Sequence, residues 1–194
     1  MRIIKYFNLC CIFLLASILV ACATAPPQRL DNICHIFDDK NRWYKQAKKA
    51  EKKWGSPVSV SMAIMHQESR FIADAKPPRK KILGFIPGRR ASDAYGYPQA
   101  KKSTWDWYKK SSGNRGADRD KFSDAIDFIG WYNTQTNQRN GISLSNAYGL
   151  YLAYHEGHGG FSRKTYEKKQ WLLGVAEKVA WRAKRYNTQL AQCR

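Results

Sequence analysis

From Ser56 to Phe71, Val60, Ile64, Glu68 and Phe71 recur at spacings of four, four and three. That rhythm is one face of an α-helix. Ser56 as N-cap and Pro57 at the first helical position mark its predicted start. The pattern puts the carboxylate of Glu68 in line with an apolar stripe, close to the helix's C-terminal end. Low-dielectric surroundings disfavour the anion, so an acid there tends to keep its proton near neutral pH. A general acid needs that property. Periodicity alone leaves a plainer reading open, in which Glu68 is solvated or ion-paired and Arg70 serves a neighbouring acid.

The same rhythm recurs along the chain. Asp38 or Asp39 is read as the cap of a helix whose inner stripe is Trp43, Ala47, Ala50 and Trp54, stopped by Gly55. Ser103 or Thr104 opens a short helix with Trp105, Trp107 and Tyr108, stopped by Gly113. Asp118 or Asp120 opens another, with Phe122, Ala125, Ile126, Ile129 and Tyr132 on one side. Residues 133–141 read as a polar turn. Ser143 or Ser145 starts a helix through Ala147, Leu150, Tyr151 and Tyr154 that ends in Gly157-His158-Gly159-Gly160. Leu172, Val175, Ala176, Val179, Ala183 and Tyr186 pattern a long terminal helix. No alternating strand pattern of any length occurs, so the predicted class is all-α, with at most one tiny hairpin in residues 76–99.

Residues 76–91 differ from the rest. Three prolines and two glycines forbid a continuous helix there. Basic residues stand at both ends, with Ile82, Leu83, Phe85 and Ile86 between. The segment reads as a loop or small hairpin close to the end of the Glu68 helix. A lid, a membrane-facing tip and an apolar loop tucked onto the core are all open.

The first residues change the compartment. Arg2 and Lys5 precede an apolar run from Tyr6 to Val20, short for a membrane span once its small-residue exit is counted, with an uncleaved anchor or an ordinary secretory leader as the alternatives. The run ends Leu19-Val20-Ala21-Cys22, which resembles the bacterial lipobox. The resemblance implies a signal peptide over residues 1–21, cleavage before Cys22, and an acylated (palmitate-bearing) N-terminus. More than one acyl chain gives stable attachment. Ala23 rather than Asp follows, which by analogy with Gram-negative lipoproteins points to the periplasmic face of the outer membrane. Residues 22–37 are then a lipidated N-terminus and short tether, with Pro26-Pro27 in it, and 38–194 the single folded domain.

Of five cysteines, Cys10 and Cys11 leave with the leader and Cys22 takes lipid. Cys34 and Cys193 remain. In an oxidising compartment they are candidates to pair; two free buried thiols are the alternative. The chain carries 34 basic and 15 acidic residues, net +19, and +17 once Arg2 and Lys5 are gone. Such a charge favours a polyanionic partner. Export argues against a specific nucleic acid and for an anionic membrane or an acidic wall polymer. Seven Trp and eleven Tyr suit either a glycan groove or a helical core.

Three stretches then fall into a known order. Glu68-Ser69-Arg70-Phe71 resembles the Glu-Ser-x-Phe that ends the catalytic helix of soluble-type (SLT) lytic transglycosylases. Gly96-Tyr97-Pro98-Gln99-Ala100, with Ser103-Thr104 behind it, resembles their Gly-Leu-Met-Gln motif. Ala153-Tyr154-His155-Glu156-Gly157-His158-Gly159 is similar to their Ala-Tyr-Asn-Ala-Gly-Pro-Gly. Three short motifs in order over about residues 56–190 are far more specific than any one. Tyr97-Pro98 replaces Leu-Met, His155 replaces Asn, and Glu156 replaces a small residue.

The resemblance implies a lysozyme-like helical domain that cleaves peptidoglycan between N-acetylmuramic acid and N-acetylglucosamine without water, leaving 1,6-anhydromuramoyl ends. It implies Glu68 as the one general acid and base, and no cofactor or metal. It assigns Ser69, Gly96, Tyr97, Gln99, Tyr154 and His155 to binding or orienting, with Tyr154 hydrogen-bonded to Glu68. Hydrolysis would need a second carboxylate, and Asp93 and Glu156 are the acids to watch. His155-Glu156-Gly157-His158 lacks the spacing that puts two imidazoles on one helical face. The competing readings are a goose-type-like lysozyme and a non-catalytic wall-binding lipoprotein.

Overall fold

The computed structural model describes residues 25–194; the leader and Cys22 lie outside them. The described chain forms eight helices: α1 (Ile33–Asp39), α2 (Trp43–Trp54), α3 (Val58–Ser69), α4 (Lys102–Ser112), α5 (Phe122–Asn140), α6 (Ala147–Glu156), α7 (His158–Ser162) and α8 (Gln170–Cys193). A 3-10 turn covers Thr165–Lys168. One antiparallel hairpin, β1 (Arg79–Ile82) with β2 (Ile86–Arg90), interrupts the helices. The expectation of a helical domain with one small hairpin in 76–99 therefore holds. No helix among the described residues is long and apolar enough to cross a membrane.

Helix α3 is the axis. Every residue from Val58 to His66 is buried, so the Val60–Ile64 stripe understates a helix enclosed on all sides. Helices α5, α6 and α8 pack around it, and α2 lies along α5. Most of the aromatic residues fill this core. Trp43 stacks on Phe122 with ring centres 3.8 Å apart, and Trp105, Tyr108, Phe128 and Trp131 form a second cluster.

Several element boundaries depart from the sequence pattern. Residues 33–37, expected as the end of the tether, belong to α1, whose Ile33, Ile36 and Phe37 are core. Asn32 caps it through bonds from the Cys34 and His35 amides, so Asp38 and Asp39 end α1 and do not cap α2. Ser56 does not cap α3. Its buried hydroxyl meets Ser61 and Asn133, and the orphan amide of Val58 donates instead to Glu51. Residues 133–140 continue α5, and its inward-facing side chains find bonds in the interior. Asn133 donates to Ser56, and the Thr136 hydroxyl donates to the Tyr132 carbonyl. Asn146, not Ser143 or Ser145, caps α6. The glycine stops at Gly55, Gly113 and Gly141 are all left-handed C-caps.

Two latches close the chain ends. The sulfurs of Cys34 and Cys193 are 2.16 Å apart, a disulfide between α1 and the last residue of α8. Deeper in, the Tyr186 hydroxyl donates to the Leu30 carbonyl. That leaves its lone pair to accept from Nδ1 of His66 at 2.8 Å, which requires a proton on Nδ1. Burial, with the Arg182 charge adding to it, pushes His66 down to about 4. The unfolded chain therefore binds a proton near pH 6.5 that the fold refuses until about pH 4. Stability from this residue is complete above pH 6.5 and is lost as pH falls towards 4, by up to about 3 kcal/mol. Urea unfolding of His66→Gln beside wild type checks this. The difference in stability should be largest at pH 7 and shrink towards pH 4.5; a difference independent of pH would refute it.

Candidate active site

Glu68 occupies the last turn of α3, one residue before its end. The chain then turns sharply through two left-handed non-glycine residues, Arg70 at φ 51° and Phe71 at φ 60°. Each costs about 1 kcal/mol or more. Phe71 offsets this by burying its ring completely against Trp43 and His66. Ser69 is buried and donates back to the Met65 carbonyl at 3.3 Å. Glu68 is thus held where a rigid helix stops and a cleft begins.

The floor is the Gly96–Ala100 turn. Gly96 has φ 76°, and a Cβ there would sit 2.2 Å from the Arg119 carbonyl oxygen, so no other residue fits. The Gln99 side-chain amide donates to the Ala75 carbonyl at 2.8 Å and to the Gly96 carbonyl at 2.9 Å. It ties the segment after α3 to the turn. Tyr97 does not face the cleft. Its ring is core, edge-on to Trp43 and Phe122. It cannot contact substrate where it sits, because an aromatic at that turn position finds the apolar interior first.

Helix α6 forms the opposite wall. Tyr151 and Tyr154 are three apart and share a face. The expected bond from Tyr154 to Glu68 is not made. The Tyr154 hydroxyl donates to the Pro98 carbonyl at 2.6 Å and fastens wall to floor. Tyr151 is the hydroxyl that acts on Glu68, favouring its anion. Burial raises Glu68 to about 7, and the Tyr151 hydroxyl only partly offsets it. The carbonyl end of the α3 dipole acts in the same direction as burial. Burial and the nearby Glu68 charge hold both tyrosines well above the usual phenol range.

Glu68, Gln99, Lys101, Thr104, Phe128, Tyr132, Tyr154, His155 and Glu156 line one cleft of about 350 Å³, a ligand-sized space. A wider groove of about 690 Å³ beside residues 26–32 includes Arg70 and Arg185 but not Glu68. Glu156 is the second carboxylate in the cleft. Burial opposes its charge, yet bonds from Lys169 (2.7 Å), Thr165 and His155 (3.0 Å) prevail and pull it down to about 2. So weak a base, with its oxygens already occupied, is poorly placed to activate water. Asp93 lies outside the cleft lining and accepts from the Lys102 amide at the start of α4. His155 half-faces the cleft between Glu156 and Trp171. His158 turns inward, stacking on Tyr132 and bonding Thr136.

The motifs thus bring Glu68, Gln99, Tyr154 and His155 to one cleft and leave Ser69, Gly96 and Tyr97 as its support. Tyr151, Tyr132 and Phe128 lie outside the matched motifs. Tyr151 had one signal, its spacing of three from Tyr154 on a helix that faces the acid.

A family model described as transglycosylase SLT domain matches residues 10–193. Neither the curated proteins nor the solved structures contain a match to the chain.

Proposed function

The chain belongs to the transglycosylase SLT domain family, and from that premise we propose that Glu68 is the single general acid and base of a membrane-anchored enzyme. The enzyme is a lytic transglycosylase, and its substrate class is peptidoglycan, in the cell envelope. One observation carries the assignment to Glu68. It is a buried carboxyl raised to about 7 beside a tyrosine hydroxyl, while the other carboxylate of the cleft is held by Lys169, Thr165 and His155.

The steps follow from that protonation state. Glu68, protonated, gives its proton to the glycosidic oxygen as the bond from C1 of N-acetylmuramic acid breaks. The sugar's own N-acetyl oxygen supports the developing cation at C1. The Glu68 carboxylate then takes the proton of the C6 hydroxyl while O6 bonds to C1. The acid is restored and no water is consumed, so one carboxylate suffices where hydrolysis uses two. Gln99 and Tyr154 hold floor and wall at fixed separation, and His155 offers a ring nitrogen at the cleft edge. Lys101 suits the carboxylates of wall peptides.

Digestion of purified sacculi, with mass spectrometry of the products, tests the reaction. Anhydro-ended muropeptides are expected. Products heavier by one water would make the protein a hydrolase, and sacculus binding without cleavage would leave a scaffold. The rate should fall as pH rises through about 7, where Glu68 loses its starting proton. Tyr151→Phe removes the hydroxyl that favours the anion, so this alkaline limb should move to higher pH while the rate at pH 6 falls about 2- to 10-fold. An unmoved limb would mean that Tyr151 does not act on Glu68.

The lipobox resemblance at Leu19–Cys22 supports anchoring through Cys22 at the periplasmic face of the outer membrane. The residues from 22 to Asn32 would then form the tether and α1 the start of the domain. An N-terminal peptide mass carrying acyl chains on Cys22 is expected; an unmodified Cys22 would refute the anchor.

A further inference from the structure

The hairpin contributes no residue to the cleft. It leaves the body just after the Glu68 helix, and its base is closed where the Gly96 amide and the Gln99 side chain both meet the Ala75 carbonyl. Its strands pair Arg79 with Arg90, Lys81 with Pro87 and Ile82 with Ile86. Most of its packing is on itself. At the tip Leu83 is 79% exposed and Phe85 75%, with Ile86 beside them. Leu83 (φ 51°) and Gly84 (φ 81°) are both left-handed. Asn, Asp or Gly would serve a left-handed turn position better than leucine, so turn chemistry does not account for the apolar tip.

Below the tip stands a collar of cations. Lys76, Arg79, Lys80, Lys81, Arg89 and Arg90 lie within a stretch that has no acidic residue from 76 to 92. All six are exposed. Arg79 and Arg90 bond only to carbonyls of the hairpin and its base, and none of the six takes part in an ion pair among the described residues. A hydrated glycan or a peptide carboxylate would suit the collar but offers nothing to Leu83 and Phe85. An anionic bilayer matches both parts, phosphate level with the collar and acyl chains at the tip.

We propose that the 79–90 hairpin inserts Leu83 and Phe85 into an anionic lipid surface, with Arg79, Lys80, Lys81, Arg89 and Arg90 on the headgroups. This deepens the anchoring reading, because a second contact with the bilayer would fix how the cleft faces the wall. A lipid anchor at Cys22 alone would not set that orientation.

Hydroxyl-radical footprinting of the full chain, read residue by residue, tests it. The chain is bound to vesicles of phosphatidylcholine alone or with one part in three of phosphatidylglycerol, roughly the anionic content at which basic segments bind. Oxidation of Leu83 and Phe85 should fall at least about threefold on the anionic vesicles, as for side chains taken into the acyl boundary. The exposed Trp171 and Trp181 are the internal reference. Lys80→Ser/Lys81→Ser/Arg89→Ser should abolish this protection, since each cation contributes about fivefold to attraction by such a surface. Free-rate oxidation on the anionic vesicles, or equal protection on both kinds, would overturn the proposal. Protection by sacculi without lipid, or protection that grows with protein concentration alone, would overturn it in favour of the wall or a second copy. The N-terminal peptide mass from the same digests reports acylation separately, so failure of the anchor and failure of the tip are distinguishable.

Discussion

Replacing Glu68 with glutamine is expected to end release of anhydro-muropeptides, a loss of about 10³-fold or more, the range in which positioned acid–base groups contribute. The amide keeps the shape, but it has no acidic proton to give to the leaving oxygen. The same substitution should stabilise the fold. A carboxyl raised from 4.5 to about 7 means that between those values the native chain holds a proton that the unfolded chain has released. Stability contributed by this group is therefore complete below pH 4.5 and is lost as pH rises through 7. At pH 8 the cost of the buried anion is at most about 3 kcal/mol, so Glu68→Gln should raise the melting temperature by several degrees there and by little at pH 4. His66 works in the opposite direction over nearly the same range. Wild type should thus be nearly flat between pH 5 and 7, and Glu68→Gln should show a stability that climbs with pH. Thermal melts at pH 4, 6 and 8 beside the sacculus assay decide it. An active Gln variant sinks the assignment. A variant less stable at every pH would trace the lost activity to the fold and not to the acid.

Removing the Cys34–Cys193 bridge should have the largest effect on stability. The two residues are 159 apart in sequence, so the disulfide closes a loop of nearly the whole domain. The chain-entropy model values such a closure at about 5 kcal/mol, with measured bridges commonly at about 2–5. Cys34→Ser/Cys193→Ser should lower the melting temperature by roughly 10 °C, and reductant should do the same to wild type and nothing to the variant. Around the bridge α1 packs on α8 through its buried Ile33, Ile36 and Phe37, and the polar contacts between them are light. The Ile33 amide donates to Gln189 at 3.0 Å, and Arg194 meets Asp38 at 2.6 Å on the surface. Exposed pairs of that kind contribute little. Unchanged melting, or two free thiols in protein recovered from an oxidising compartment, would show that the ends are held by α1 packing alone. The cleft is built from α3, α5 and α6 and the Gly96 turn, so the serine variant should retain the cleavage chemistry at low temperature.

The glycine stops were legible because a left-handed cap is a local requirement, and Gly55, Gly113 and Gly141 meet it whatever packs nearby. Glu68 on an apolar face was legible for the same kind of reason, since period and side-chain type are both local. So was the broken segment at 76–91, where prolines and glycines rule out a helix. What was not legible turned on partners distant in sequence. Asn133 looks like a turn residue until its amide finds Ser56, 77 positions away, and Thr136 until His158, 22 positions away, meets its hydroxyl inside the fold. Residues 33–37 look like tether until α8 covers them.

The chain's local chemistry determined a helical domain, its stops, and one acid set among apolar neighbours. Only the tertiary structure decided which hydroxyl meets that acid. Tyr151 and Tyr154 are equivalent by period, and the choice fell to the Pro98 carbonyl, which accepts the Tyr154 hydroxyl and leaves Tyr151 to act on Glu68. It also decided that Glu156 enters the same cleft yet is quenched by Lys169 and Thr165. The physical reason is common to both cases. A buried polar group must be paired, and its partner is chosen by the packing of helices far apart in the chain, which no local window contains.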